Sequence, residues 1–111
     1  SINASLVPEK YTFEAGEVIY DLITGEDADA VLVLLARQER DGTYHVRVVA
    51  SCDLNEWDEV LRFNAETFSR SFALYNGDFY FGQGTNVEAL SPQAGTLLRV
   101  SREHFRLPCR G

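Results

Sequence analysis

Apolar and polar residues alternate with period two over most of the chain, and little falls at helical spacing. Glu14 to Leu22 places Val18, Tyr20 and Leu22 on one face and reads as a strand following a glycine turn. Ala30 to Ala36 is apolar without interruption, the pattern of a strand covered on both faces. Asp41-Gly42 signals a hairpin, because a type I′ turn needs residues that tolerate positive φ. The strand that returns, Thr43 to Ser51, aligns Tyr44, Val46, Val48 and Ala50 on one face. A tight turn over Asp53 to Glu56 leads to another strand, Trp57 to Phe63.

The second half repeats this grammar. Ser71 to Tyr75 is a short strand, Asn76-Gly77 is a hairpin turn, and Asp78 to Phe81 returns. Gly82-Gln83-Gly84 breaks that strand and opens a loop through Pro92; Gly95 to Ser101 is the next strand. Residues after Arg102 fit either an edge strand or a tail. The pattern therefore predicts an all-β chain of about seven short antiparallel strands, with helix nearly absent and no βαβ unit.

The segment Ser51-Cys52-Asp53-Leu54-Asn55-Glu56-Trp57 carries a Ser-x-Asp-x-x-x-Trp spacing between two strands. It resembles a shortened Asp-box, the turn of sialidase-like β-propeller blades. It is also similar to the Ser-x-Asp-Leu-x-x-Trp hairpin of five-bladed arabinanase- and invertase-type glycoside hydrolases. It departs from the Asp-box in lacking the usual glycine and in being one residue short. Ser71 to Gly82, followed by Gly95-Thr96-Leu97-Leu98-Arg99-Val100, is similar to a blade that opens with an inner strand and closes with this last one. The resemblance covers Tyr11 to Val100. It implies about two propeller-like blades, near 11–63 and 70–101, with 102–111 as a tail. Ser51, Asp53, Trp57, Asn76 and Gly77 would then shape structural turns, with Trp57 as a plug under its hairpin. A blade has four strands and a propeller needs at least four blades, so the resemblance also implies partners. These are further blades, from other copies or from the rest of a longer chain.

Composition narrows the class without naming an activity. At 111 residues the chain is one domain's worth, and 45% hydrophobic with 24% charged residues is ordinary globular usage. The run Ala30 to Ala36 is too short to span a bilayer as a helix, and no signal peptide or membrane partner is expected. The chain has no Met, including at position 1, which points to a processed or excised chain. Net charge is −7 and argues against nucleic acid as a partner. Residues 1–60 hold thirteen acidic against four basic residues, whereas 61–111 hold four against six. The C-terminal Arg99, Arg102, His104, Arg106 and Arg110 are expected to lie on a solvated segment that pairs with the acidic half.

Candidate chemistry is sparse. Cys52 and Cys109 fit no metal or redox spacing; one disulfide to the C-terminus and two buried thiols both remain open. His45 and His104 do not complete a zinc site with them, so neither metal nor cofactor is expected. Asn3-Ala4-Ser5 is a glycosylation sequon, meaningful if the protein is secreted. A retaining glycosidase needs two carboxylates about 5–5.5 Å apart, and no pair can be assigned to that role. Tyr75, Phe79, Tyr80 and Phe81 read as core rather than as a carbohydrate platform. The expected function is a non-catalytic β-propeller fragment or module in glycan or protein recognition. The alternative is part of a glycoside hydrolase-related enzyme completed by further blades. A small microbial-type ribonuclease, using His45, Glu103, His104 and Arg106, comes third.

Overall fold

The computed structural model describes residues 13–25, 29–83 and 96–109. Strands β1 (Val18–Gly25), β2 (Ala30–Gln38), β3 (Tyr44–Ser51) and β4 (Asp58–Ala65) form a four-stranded antiparallel meander. Strands β5 (Phe72–Tyr75), β6 (Asp78–Gln83) and β7 (Thr96–Val100) form a three-stranded antiparallel sheet. The helical content of the described residues is one 3-10 turn, Arg102–His104, whose first turn is capped by the Ser101 hydroxyl. The all-β class is as the alternation predicts.

The two sheets stack through one core. Leu32, Leu34 and Ala36 of β2 lie beside Val46, Val48 and Ala50 of β3, and all six pack with Phe72, Phe79 and Phe81 of the second sheet. Phe79 is at the centre, 0% exposed, with Phe105 at 4.5 Å and Phe72 at 5.8 Å between ring centroids. On the opposite face of the first sheet Val33, Leu35 and Val49 are also buried, under Phe13 and Trp57. These two rings meet edge to face at 5.9 Å. Both faces of β2 are thus closed within the chain. No further blade is needed to cover this strand. Exposed apolar side chains lie instead on β1 (Val18, Ile19, Leu22) and on the second sheet (Tyr75, Leu97).

Several local expectations are corrected. Glu14 to Glu17 is a turn rather than strand, closed by the Glu17 amide donating to the Glu14 carbonyl at 3.2 Å, with Gly16 at φ +79°. The register of β1 shifts between Ile19 and Asp21, so Tyr20 and Ile23 reach the core while Val18 and Leu22 stay exposed. A bulge breaks strict alternation, and the predicted single face divides. The Asp41-Gly42 hairpin is present, but only Gly42 has positive φ, at +88°. Glu39 accepts from the Gly42 amide at 3.0 Å, and its own amide donates to Thr43 at 2.8 Å. That is a three-residue loop, a turn followed by a left-handed glycine, in place of the two-residue type I′.

Gly82 does not end β6, which continues to Gln83. A Cβ there would lie 2.7 Å from the Ser69 hydroxyl, so the glycine admits a close crossing of the chain. Gly84 lies outside the described residues, as does Asn3. Cys52 and Cys109 form a disulfide, with Cα atoms 5.6 Å apart, tying the β3–β4 turn to the end of the described chain.

Two stability outcomes follow. Replacing Cys52 and Cys109 by Ser should cost about 4 kcal/mol in urea unfolding, from the loop entropy released over a separation of 57 residues. Phe79→Ala should cost about 3–5 kcal/mol, because the cavity opens at the contact between the two sheets.

Candidate functional site

Strand register brings one dense polar cluster together. Arg37 on β2, His45 and Arg47 on β3, and Arg62 and Asn64 on β4 are cross-strand neighbours: Arg37 faces His45, His45 faces Asn64, and Arg47 faces Arg62. They share the sheet face of Val33 and Leu35. Two arginines directly opposite one another repel, unless anions lie between them. The turn preceding β1 supplies Glu14 and Glu17, and β4 supplies Glu59.

Arg47 is buried, at 8% exposure, and forks onto Glu17 through two bonds of 2.7 Å. Its remaining terminal nitrogen donates to Glu59 at 3.1 Å. Arg62 also holds Glu59, through Nε at 2.9 and 3.0 Å and through a short contact from Nη2. Glu14 bridges Arg37 and Arg62, each at 3.2 Å. Arg62 Nη1 lies 3.4 Å from His45 Nε2, and His45 Nδ1 lies 2.9 Å from Asn64 Oδ1. Guanidinium can only donate, so this geometry assigns the ring proton to Nδ1.

These contacts set the protonation states. Burial pushes the Glu17 carboxyl up, but the Arg47 hydrogen bonds and charge outweigh it and hold it below its usual range. Hydrogen bonds from Arg62, with Arg47 beside them, hold Glu59 low against a smaller opposing effect of burial. Arg47 is pushed up by Glu17, and Arg62 by Glu59. A general acid requires a carboxyl pushed the other way. The cluster is built to remain ionised.

Ser51, Asp53, Trp57, Asn76 and Gly77 lie at the β3–β4 and β5–β6 connections. The Ser51 hydroxyl accepts from the amides of Leu54 at 2.8 Å and Asp53 at 3.3 Å. Asp53 Oδ1 accepts from the amides of Asn55 at 2.8 Å and Glu56 at 3.0 Å, and these bonds hold its carboxyl low. Leu54 adopts φ +66°, an uncommon conformation for a non-glycine residue that the surrounding hydrogen bonds maintain. Trp57 packs against the Val33, Leu35 and Val49 cluster. At the second hairpin Asn76 and Gly77 have φ +50° and +82°, the type I′ signature.

Gly77 serves a second purpose. The Arg102 guanidinium carbon lies 3.1 Å from where a Gly77 Cβ would stand, and Arg102 donates to the Asn76 carbonyl. The Arg102 amide also donates to Asp78 at 2.9 Å, the main reason that Asp78 is held low. Gly77, Arg102, Phe105, Arg106 and Leu107 line a groove of about 370 Å³ at this corner.

Among the described residues, Arg99, Arg102 and Arg106 make no ion pair with the acidic half. Arg99 and Arg102 share Asp78 of β6, at 3.5 and 3.4 Å, while the acidic half is matched by Arg37, Arg47 and Arg62. Nor are the ribonuclease candidates brought together. His45 lines a hollow with Asp41, Thr43 and Asn64, whereas Arg106 lines the groove beside Gly77. Of the four aromatics read as core, Phe79 and Phe81 are buried; Tyr75 is exposed and Tyr80 half-buried, 6.3 Å apart on the outer face. Among the described residues no group of His, Cys, Asp and Glu could hold a metal ion. The arginine–glutamate cluster was missed from sequence because cross-strand register, which assembles it, is not written in composition.

The cluster makes stability depend on pH. Glu17 and Glu59 have folded-state pKa values below the ordinary 4.5, so their contribution is complete above that value and is lost as pH falls through the folded values. The urea midpoint should hold between about pH 7 and 5 and drop below about pH 4.5, with part of the drop absent in Glu17→Gln. At pH 7, Arg47→Met should cost about 3–5 kcal/mol by stranding the Glu17 carboxylate, and adding Glu17→Met should recover much of it. Compared with known proteins, the chain matches no family model, no curated protein and no solved structure.

Proposed function

We propose that the chain is a non-catalytic recognition module of two propeller-like sheets, which binds a protein or glycan partner. One observation carries this reading. The described carboxylates with perturbed pKa values, Glu17, Asp41, Asp53, Glu59 and Asp78, are all held low by ion pairs or turn hydrogen bonds. Carboxyl groups held ionised in this way are poorly suited to act as general acids.

The second sheet supports an interaction role. Tyr75 is 65% exposed and Leu97 is 73% exposed, on a sheet of three strands stacked against one of four. Apolar side chains left open beside polar ones are a common feature of contact surfaces. Further blades, from another copy or a longer chain, remain the partner class that the Asp-box resemblance brings to this surface.

A panel of chromogenic glycosides and a glycan array test the reading together. The expected outcome is no hydrolysis, with binding on the array or concentration-dependent association in sedimentation at micromolar protein. Hydrolysis that is lost in Glu59→Gln would replace this reading with the glycoside hydrolase one.

A further inference from the structure

The segment after β7 meets the Asn76-Gly77 hairpin, and the groove of about 370 Å³ between them has two chemical halves. The apolar half is Phe105 and Leu107. Phe105 lies 4.5 Å from Phe79 between ring centroids and Leu107 packs on the same core, yet both are only half-buried. Each therefore keeps part of its surface open to the groove that it lines. The charged half is guanidinium, from Arg102 and Arg106.

Arg102 is held in place before any ligand arrives. Its Nε donates to Asp78 at 3.4 Å and its Nη2 donates to the Asn76 carbonyl. It fits there because Gly77 carries no Cβ, which would stand 3.1 Å from the guanidinium carbon. These bonds leave Nη1 without a partner among the described residues. Arg106 is exposed and makes neither an ion pair nor a side-chain hydrogen bond among them. Along this stretch Arg99, Arg102 and Arg106 stand against Asp78 and Glu103, three positive charges to two negative with His104 neutral. The surplus is one positive charge on a chain whose net charge is −7.

We propose that this groove binds a small organic carboxylate, a single negative charge joined to a flat apolar body. The carboxylate accepts from the donors that Arg102 Nη1 and Arg106 leave uncommitted, and planar guanidinium suits that geometry. The apolar body lies against Phe105 and Leu107, where it removes their remaining surface from water. The surplus of one charge selects a monoanion over a dianion. A volume near the low end of small-molecule sites selects a compact ligand over an extended chain. Because Arg102 is already fixed by Asp78 and Asn76, little ordering is left for binding to supply. This site is separate from the exposed Tyr75 and Leu97 of the recognition reading and does not depend on it.

The test follows the amide resonances of the whole chain by NMR as 2-naphthoate is added. Saturable shifts should centre on Gly77, Arg102 and Phe105 to Leu107. Two partial ligands separate the halves of the site: 2-naphthylmethanol keeps the flat body without the charge, and acetate keeps the charge without the body. Each should bind at least about tenfold more weakly than 2-naphthoate. Arg106→Gln should weaken 2-naphthoate about tenfold while leaving the rest of the spectrum in place, since Arg106 is exposed. Arg40→Gln removes the same charge from the β2–β3 hairpin and should change the affinity by less than about twofold. The proposal is overturned by no saturable shift up to roughly 10 mM, or by shifts centred elsewhere. It is equally overturned if either partial ligand matches 2-naphthoate, if Arg106→Gln binds as the parent does, or if Arg40→Gln weakens binding as much as Arg106→Gln.

Discussion

Strand β2 has to be covered twice, and the fold is arranged around that requirement. Its even positions, Leu32, Leu34 and Ala36, need a neighbouring sheet, and the phenylalanines of the second sheet supply it. Its odd positions, Val33 and Leu35, need a second cover, which Phe13 before β1 and Trp57 between β3 and β4 provide. Burying a side chain of this size is worth about 1.5–3 kcal/mol, so the two layers together account for much of what holds a small domain folded. The second sheet, the turn before β1 and the hairpin carrying Trp57 are all positioned by this one strand.

The same odd-numbered face explains why charge is tolerated so close to the core. Going along β2 and β3 it passes from Val33, Leu35 and Val49 to Arg37, Arg47 and His45. Arg47 could not stand there alone. Glu17 meets its fork on one side and Glu59 on the other, and Glu59 also separates Arg47 from Arg62. The pairing links the turn before β1 to β3 and β4, so electrostatics and the Phe13 cover act on the same segment. Ion pairs this close to the core add little net stability, because the cost of taking the charges out of water offsets their attraction.

The two ends of the second sheet differ in kind. At one, the Asn76-Gly77 turn, Asp78 and Arg102 lock the segment after β7, and the disulfide anchors its end to the first sheet. Disulfides of this sort persist in oxidising compartments. At the other, no strand among the described residues pairs with the outer edge of β7.

Much of the fold was legible in the sequence, because period-two alternation and turn residues are local. Asn76-Gly77, the double-faced apolar run at Ala30 to Ala36 and the Tyr44 to Ala50 face are each decided within a few residues. The Ser51 and Asp53 bonds belong to the same class, since both side chains reach only their own turn. What the tertiary structure decided depends on register and on contacts far apart in the chain. The bulge in β1 sent Leu22 outward and Tyr20 inward, and the pairing of β2, β3 and β4 assembled an arginine–glutamate cluster from residues up to 48 apart. Phe13 closed the face that local reasoning left open, and Cys52 met Cys109 because stacked sheets brought the two together. A strand's pattern shows that it has two faces, but only packing determines what lies on each.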